Sequence, residues 1–152
     1  MPPNEGGTRL EHLHRLAKRA ARRLRPSLIK VLRAGSEQIL DAKGLRYRVH
    51  YSIRVNGDRP ISVDLAFTRV KLAVFVDGCF WHACPVHGSM PKANADYWPQ
   101  KLRGNVDRDQ LTTRRLQLAG WHVARFWEHE DLSDVATRIL ALRQRREGQV
   151  DS

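Results

Sequence analysis

ISVDLAFTRVKLAVFVD, residues 61–77, is the stretch on which the fold turns. It holds two runs rich in Val, Ile, Leu and Phe, ISVDLAF (61–67) and KLAVFVD (71–77), with only Thr68, Arg69 and Val70 between them. So short a link has no room for a crossover, and the two runs predict an antiparallel hairpin. LRYRVHY (45–51) reads as a strand before them, with Asn56-Gly57-Asp58 as the turn. Downstream, an amphipathic helix is predicted near Tyr97 to Ala119, stopped by Gly120, and HVARFW (122–127) reads as a fourth strand. A helix between the third and fourth strands permits a parallel crossover. Ser133 is the expected cap of a last helix, with Val135, Ile139, Leu140 and Leu142 on one face. The fold class is therefore α/β, a mixed central sheet flanked by helices.

Before the sheet, residues 8–24 predict a helix. Thr8 and Glu11 form a capping-box pattern, and Leu10, Leu13, Ala17, Ala20 and Leu24 keep helical spacing. Arg15, Lys18, Arg19, Arg22 and Arg23 make its other face, either a solvated surface or an arm along phosphates. Pro26 and Ser27 break that helix and start a short one, and Ser36 caps a further turn or two before Gly44. The expected division is a basic helical arm over 1–35, one folded domain over 36–147 and a tail over 148–152.

A chain of 152 residues with 41% hydrophobic content suits one domain that folds without disulfides. No apolar run approaches the roughly 18 residues of a membrane span, and the start of the chain has no apolar leader, so a cytoplasmic, nucleoid-associated monomer is expected. The 27 Lys and Arg outnumber the 16 Asp and Glu to give a net charge of +11. That excess draws polyanions, above all nucleic acid. An anionic membrane is a poorer partner, because the basic helices carry few large apolar anchors.

GCFWHACPVHG (78–88) is the densest chemical stretch. Cys79, Cys84 and His87 are three N/S donors at metal-ligand spacing, and zinc takes four in a tetrahedron. His129, just past the last strand, can complete the set, with His82 as its rival. A closed site of this kind is structural; the alternative is two buried thiols and surface imidazoles. Asp64 stands between Val63 and Leu65 in an apolar run, so it must be paired, protonated or metal-bound. Asp77 ends the next strand, and two carboxylates at one end of adjacent strands suit Mg2+. The acid-x-Lys triplet found in many nucleases reads Asp77-Gly78-Cys79 here, without the lysine. Phe80, Trp81 and Trp98 are either core residues or wedges between base pairs. Lys101, Asn105 and Asp109 follow at i, i+4 steps with Arg108 beside them. They form either a solvated ladder or one wall of a pocket, with Asp109 orienting His82.

VFVDGCFWHACPVHG, YWPQKLRGNVDRDQ and GWHVARFWEH together resemble the very short patch repair (Vsr) endonuclease family over residues 45–129. The resemblance implies a PD-(D/E)XK-like nuclease fold with a structural zinc, and Mg2+-dependent nicking of double-stranded DNA next to T:G mismatches. It implies that Asp64 and the main-chain carbonyl of Val76 hold Mg2+, and that His82 is the catalytic histidine, paired with Asp109. It implies that Phe80, Trp81 and Trp98 intercalate. On the basic helix, Lys101, Asn105 and Arg108 are expected to meet phosphate. Cys79, Cys84, His87 and His129 fall at or beside its zinc positions, and Glu37 is the nearest match to an N-terminal acidic residue. Mismatch-repair proteins are expected partners. Two other readings stay open: a zinc-bearing DNA-binding module without catalysis, and a related nuclease of phage defence with no mismatch preference.

Overall fold

The structure, a computed structural model, describes residues 25–31, 46–78 and 97–152. Four strands, β1 (Arg48–Ile53), β2 (Ile61–Phe67), β3 (Leu72–Asp77) and β4 (His122–Trp127), form one sheet in the order β1-β2-β3-β4. Residues 25–31 are helical (α1), followed by α2 (Tyr97–Leu118) and α3 (Leu132–Val150). The 61–77 hairpin is antiparallel, with Leu65 opposite Val74 and Phe67 opposite Leu72. β3 and β4 run parallel, from Leu72 opposite His122 to Asp77 opposite Trp127, and α2 lies in the crossover. Among the described residues no helix is long and apolar enough to cross a membrane.

The first strand starts and ends later than its residues suggest, at Arg48 and Ile53. The turn after it places Asn56 at φ 48° and Gly57 at φ 75°, and the Asp58 amide donates to the Val55 carbonyl at 3.1 Å. Positive φ at both central residues makes the turn twist with the strands it joins, which Asn-Gly tolerates best.

Each face of the sheet buries its own core. On one, Leu65, Phe67, Leu72, Val74, Ala124 and Phe126 pack with Leu28 of α1 and with Val135, Ala136, Ile139 and Leu140 of α3. On the other, Ile53, Ile61, Val63, Ala66, Ala73 and Phe75 pack with Leu116 of α2. Both faces of β3 are thus covered, which explains its unbroken apolar run. Each fully buried Leu, Ile or Phe contributes about 1.5–3 kcal/mol of transfer free energy.

The helix ends follow from local hydrogen bonds. At the end of α2 the Gly120 amide donates to the Gln117 carbonyl at 3.0 Å and the Trp121 amide to the Leu116 carbonyl at 2.9 Å. Gly120 takes φ 83°, the left-handed position that glycine fills without a Cβ penalty. The last helix is capped by Asp131 instead of Ser133. The Asp131 carboxylate accepts from the Ser133 amide (2.9 Å) and the Asp134 amide (3.1 Å). Ser133 is already inside the first turn, where its own N–H needs an acceptor. α3 continues to Val150. Arg146 ties its last turns down, donating to the Val70 carbonyl at 3.0 Å and the Gly120 carbonyl at 3.3 Å.

Candidate active site

Asp64 sits where the sheet changes its alternation. Ile61 and Val63 of β2 enter the core under α2, whereas Leu65 and Phe67 enter the core under α3. β1 makes the same switch: Tyr51 and Ile53 belong with the first core, Tyr47 with the second. The ladder keeps one register throughout, with Tyr51 opposite Val63 and Val49 opposite Leu65, and passes over His50 and Asp64. His50 takes φ 49° at this point. Both strands therefore turn over together, and Asp64 is freed from the apolar alternation that its neighbours imply.

The Asp64 carboxylate is held from two sides. Its Oδ2 accepts the Val76 amide N–H at 2.8 Å, a bond between side chain and backbone where β2 and β3 part. Its Oδ1 lies 3.4 Å from Nε of Arg25 in α1, whose Nη1 is 2.6 Å from His50 Nδ1. The contact with Val76 is thus to its amide. A carboxylate fixed by an amide offers a hard oxygen in a set direction, which suits Mg2+, an ion that keeps several of its own waters.

Asp77 enters a different group. It shares its face with Phe75 and is 7% exposed. Nη1 of Arg125 donates to both its oxygens, at 3.0 and 3.1 Å. Arg125 also reaches Asp109 Oδ1 at 3.7 Å, donates from Nε to Thr113 Oγ1 at 3.1 Å, and lays its guanidinium 4.2 Å over the Phe75 ring. Asp64 and Asp77, the two carboxylates expected around one Mg2+, each lie in an ion pair of their own, with Arg25 and Arg125. The reason is the strand alternation, which sends Asp77 toward α2 while Asp64 meets Arg25. Among the described residues no three His, Cys, Asp or Glu side chains gather into a metal-holding group.

Asp77, Asp109 and Arg125 line a cavity of about 390 Å³ between α2 and the carboxyl ends of β3 and β4, together with Val106, Thr113 and Trp127. Asp109 lines this cavity beside Arg125. Lys101 and Arg108 are exposed on α2 and Asn105 is half-buried. His129 is exposed just beyond β4. Cys79, Phe80, Trp81, His82, Cys84 and His87, with Glu37, lie outside the described residues, as does the predicted helix over 8–24. Trp98 falls in the first turn of α2.

Three site residues escaped the sequence reading. Arg125 left a usable signal, an inward-parity cation in HVARFW able to meet an inward carboxylate on the neighbouring strand. Arg25 and His50 left none, because the approach of Arg25 to both Asp64 and His50 depends on how α1 packs and on the switch in alternation.

Residues 30–87 match the family model described as DNA mismatch endonuclease Vsr. The chain is 46% identical over 97 residues to the type II nicking enzyme V.NaeI of Lentzea aerocolonigenes, covering 64% of this chain and 58% of that protein. It is 38% identical over 107 residues to the type II nicking enzyme V.XorIIP of Xanthomonas oryzae pv. oryzae, covering 69% of this chain and 74% of the relative. To the DNA mismatch endonuclease Vsr of Escherichia coli K12 it is 31% identical over 105 residues, covering 64% of each. The match thus spans less than two thirds of the first and last of these relatives. A mixed sheet that presents a fixed carboxylate where β2 and β3 part, and a likeness that runs through it at this level, establish that the chain belongs to the Vsr endonuclease family.

Proposed function

We propose that this chain is a DNA endonuclease that nicks one strand of a duplex by Mg2+-dependent phosphodiester hydrolysis, at or near T:G mismatches. The observation that carries the reading is the Asp64 carboxylate, fixed by the Val76 amide at the point where two strands part. Asp64 and the Val76 carbonyl would hold the Mg2+, which supplies charge stabilisation at the scissile phosphate and orients water. His82 manages the proton of the attacking water, with Asp109 setting its orientation. Asp77 is bound by Arg125 and acts as the anchor of that wall. The family names of the relatives support the nicking activity. A cytoplasmic site of action, and mismatch-repair proteins as partners, belong to the same proposal.

The test is a nicking assay on matched and T:G-mismatched duplexes, each with and without Mg2+. Nicking of the mismatched duplex in Mg2+ alone is the expected result. Equal nicking of both duplexes would retain the nuclease and remove the mismatch preference. No nicking of either, with tight DNA binding, would favour a binding module.

Zinc is proposed as the structural metal, on Cys79, Cys84, His87 and His129. β3 and β4 end side by side, with Asp77 opposite Trp127, and Cys79 and His129 each follow two residues later. A metal there would tie the two strand ends together. Elemental analysis should find one zinc per chain, and Cys84→Ala should lose it and melt earlier, since metal affinity is partly folding energy. A Cys84→Ala variant with full zinc and unchanged melting rules the site out.

DNA binding should be steeply salt-dependent. Lys101, Arg103, Arg108 and Arg114 are all exposed on α2. If they meet phosphates, log affinity falls linearly with log salt, and Lys101→Ala lowers the slope by about 1. An unchanged slope for the variant would move the interface off the face of α2 that carries Lys101 and Arg108.

A further inference from the structure

The ion pair between Arg25 and Asp64 has no part in the reading above, yet it stands on the carboxylate that the reading depends on. The Arg25 side chain is 7% exposed, with Nε 3.4 Å from Asp64 Oδ1. Its Nη1 lies 2.6 Å from His50 Nδ1. A guanidinium has only donors, so His50 accepts at Nδ1 and its ring carries the proton on Nε2. His50 does this from a left-handed backbone conformation that non-glycine residues avoid. The fold thus keeps an uncommon backbone at the residue that steadies the guanidinium against Asp64. The other carboxylate oxygen is held by the Val76 amide, so the edge facing Arg25 is the one open to exchange.

We infer that Arg25 is the resident counter-cation of the Asp64 site, occupying the carboxylate edge a divalent cation needs, so that the cation enters by displacing it. The inference rests on the proposed role of Asp64 as a metal carboxylate. The half-buried Asp64 carboxylate, 19% exposed at its side chain, is stabilised by a positive partner. Arg25 supplies it as long as no metal is bound. Metal binding then becomes an exchange of one cation for another, and its strength is the difference between two attractions. Two cations sharing one carboxylate at a few ångströms also repel, and the repulsion is strong where little water screens it. Binding of the free ion is accordingly weak, and removing the guanidinium charge strengthens it.

The experiment titrates Mn2+ into the full chain, reads the free ion by its paramagnetic resonance signal, and records thermal unfolding with and without Mn2+. Arg25→Gln keeps an N–H donor for Asp64 and removes the charge. It should bind Mn2+ about 10- to 100-fold more tightly than the unaltered chain, a coupling of ordinary size. Its melting temperature should also rise more on adding Mn2+. His50→Gly keeps the backbone conformation and removes the acceptor that steadies Arg25, so it should bind a few-fold more tightly; it carries the test if Arg25→Gln does not fold. If neither variant binds more tightly while Asp64→Asn abolishes binding, Arg25 does not compete with metal and the inference falls. If Mn2+ binds equally well to Asp64→Asn, the metal role of Asp64 fails, and the inference with it.

Discussion

Asp64→Asn should reduce strand nicking by about 10³-fold or more, while DNA binding is retained or tightened. The amide oxygen of Asn can still accept the Val76 N–H, so the strand geometry that positions residue 64 survives. What is lost is the charge. The carboxylate repels phosphate until a cation bridges the two, so its removal deletes the metal site and the repulsion together. Nicking rates at saturating Mg2+, measured beside DNA affinity on the same preparation, separate these effects. Normal nicking by the variant would sink the proposed mechanism and leave a DNA-binding module as the better description. The same substitution leaves Arg25 without its carboxylate, so a moderate loss of stability accompanies the loss of rate.

Arg125→Met should be the most destabilising single change in the described site, by about 3–5 kcal/mol. Methionine fills much of the same space over the Phe75 ring, so the packing loss is small. The loss is electrostatic. Asp77, one tenth exposed at its side chain, keeps its charge and loses the guanidinium that bonds both its oxygens. Removing one partner of a shielded pair costs more than removing both, so Asp77→Leu combined with Arg125→Met should recover much of the loss. Urea unfolding of the single and double variants decides the matter. A loss below about 1 kcal/mol for Arg125→Met would show that the pair behaves as an exposed salt bridge.

The strands, their order and the mixed sheet were legible from short-range features. ISVDLAF and KLAVFVD lie too close together to be anything but a hairpin, and a helix-length segment before HVARFW gives the crossover. Asn56-Gly57 and Gly120 announce positive φ, because they are residues that adopt it at low cost. The cap of α3 was misplaced by two residues, since Asp131, Ser133 and Asp134 are all good cap formers and only the extended backbone at Asp131 selects among them.

Asp64 was legible as a residue in need of a partner, from its charge and its neighbours alone. Its partner was not. Period-two alternation places Val63 and Leu65 on one face, and the sheet places them on opposite faces. That switch occurs in β1 and β2 together, so the register survives it and neither strand betrays it alone. Asp77 shows the same limit. Position along a strand marks its end, whereas the twist and packing of the sheet decide which cation a carboxylate meets, Arg125 for Asp77 and Arg25 for Asp64. The sequence by itself determined the element order, the basic charge and the presence of a carboxylate that cannot stand alone, because these depend on composition and near neighbours. The tertiary structure decided the two separate ion pairs, because Arg25 lies 39 residues before Asp64, and Arg125 lies 48 after Asp77. Contacts at such separations are set by the packing of whole helices on the sheet.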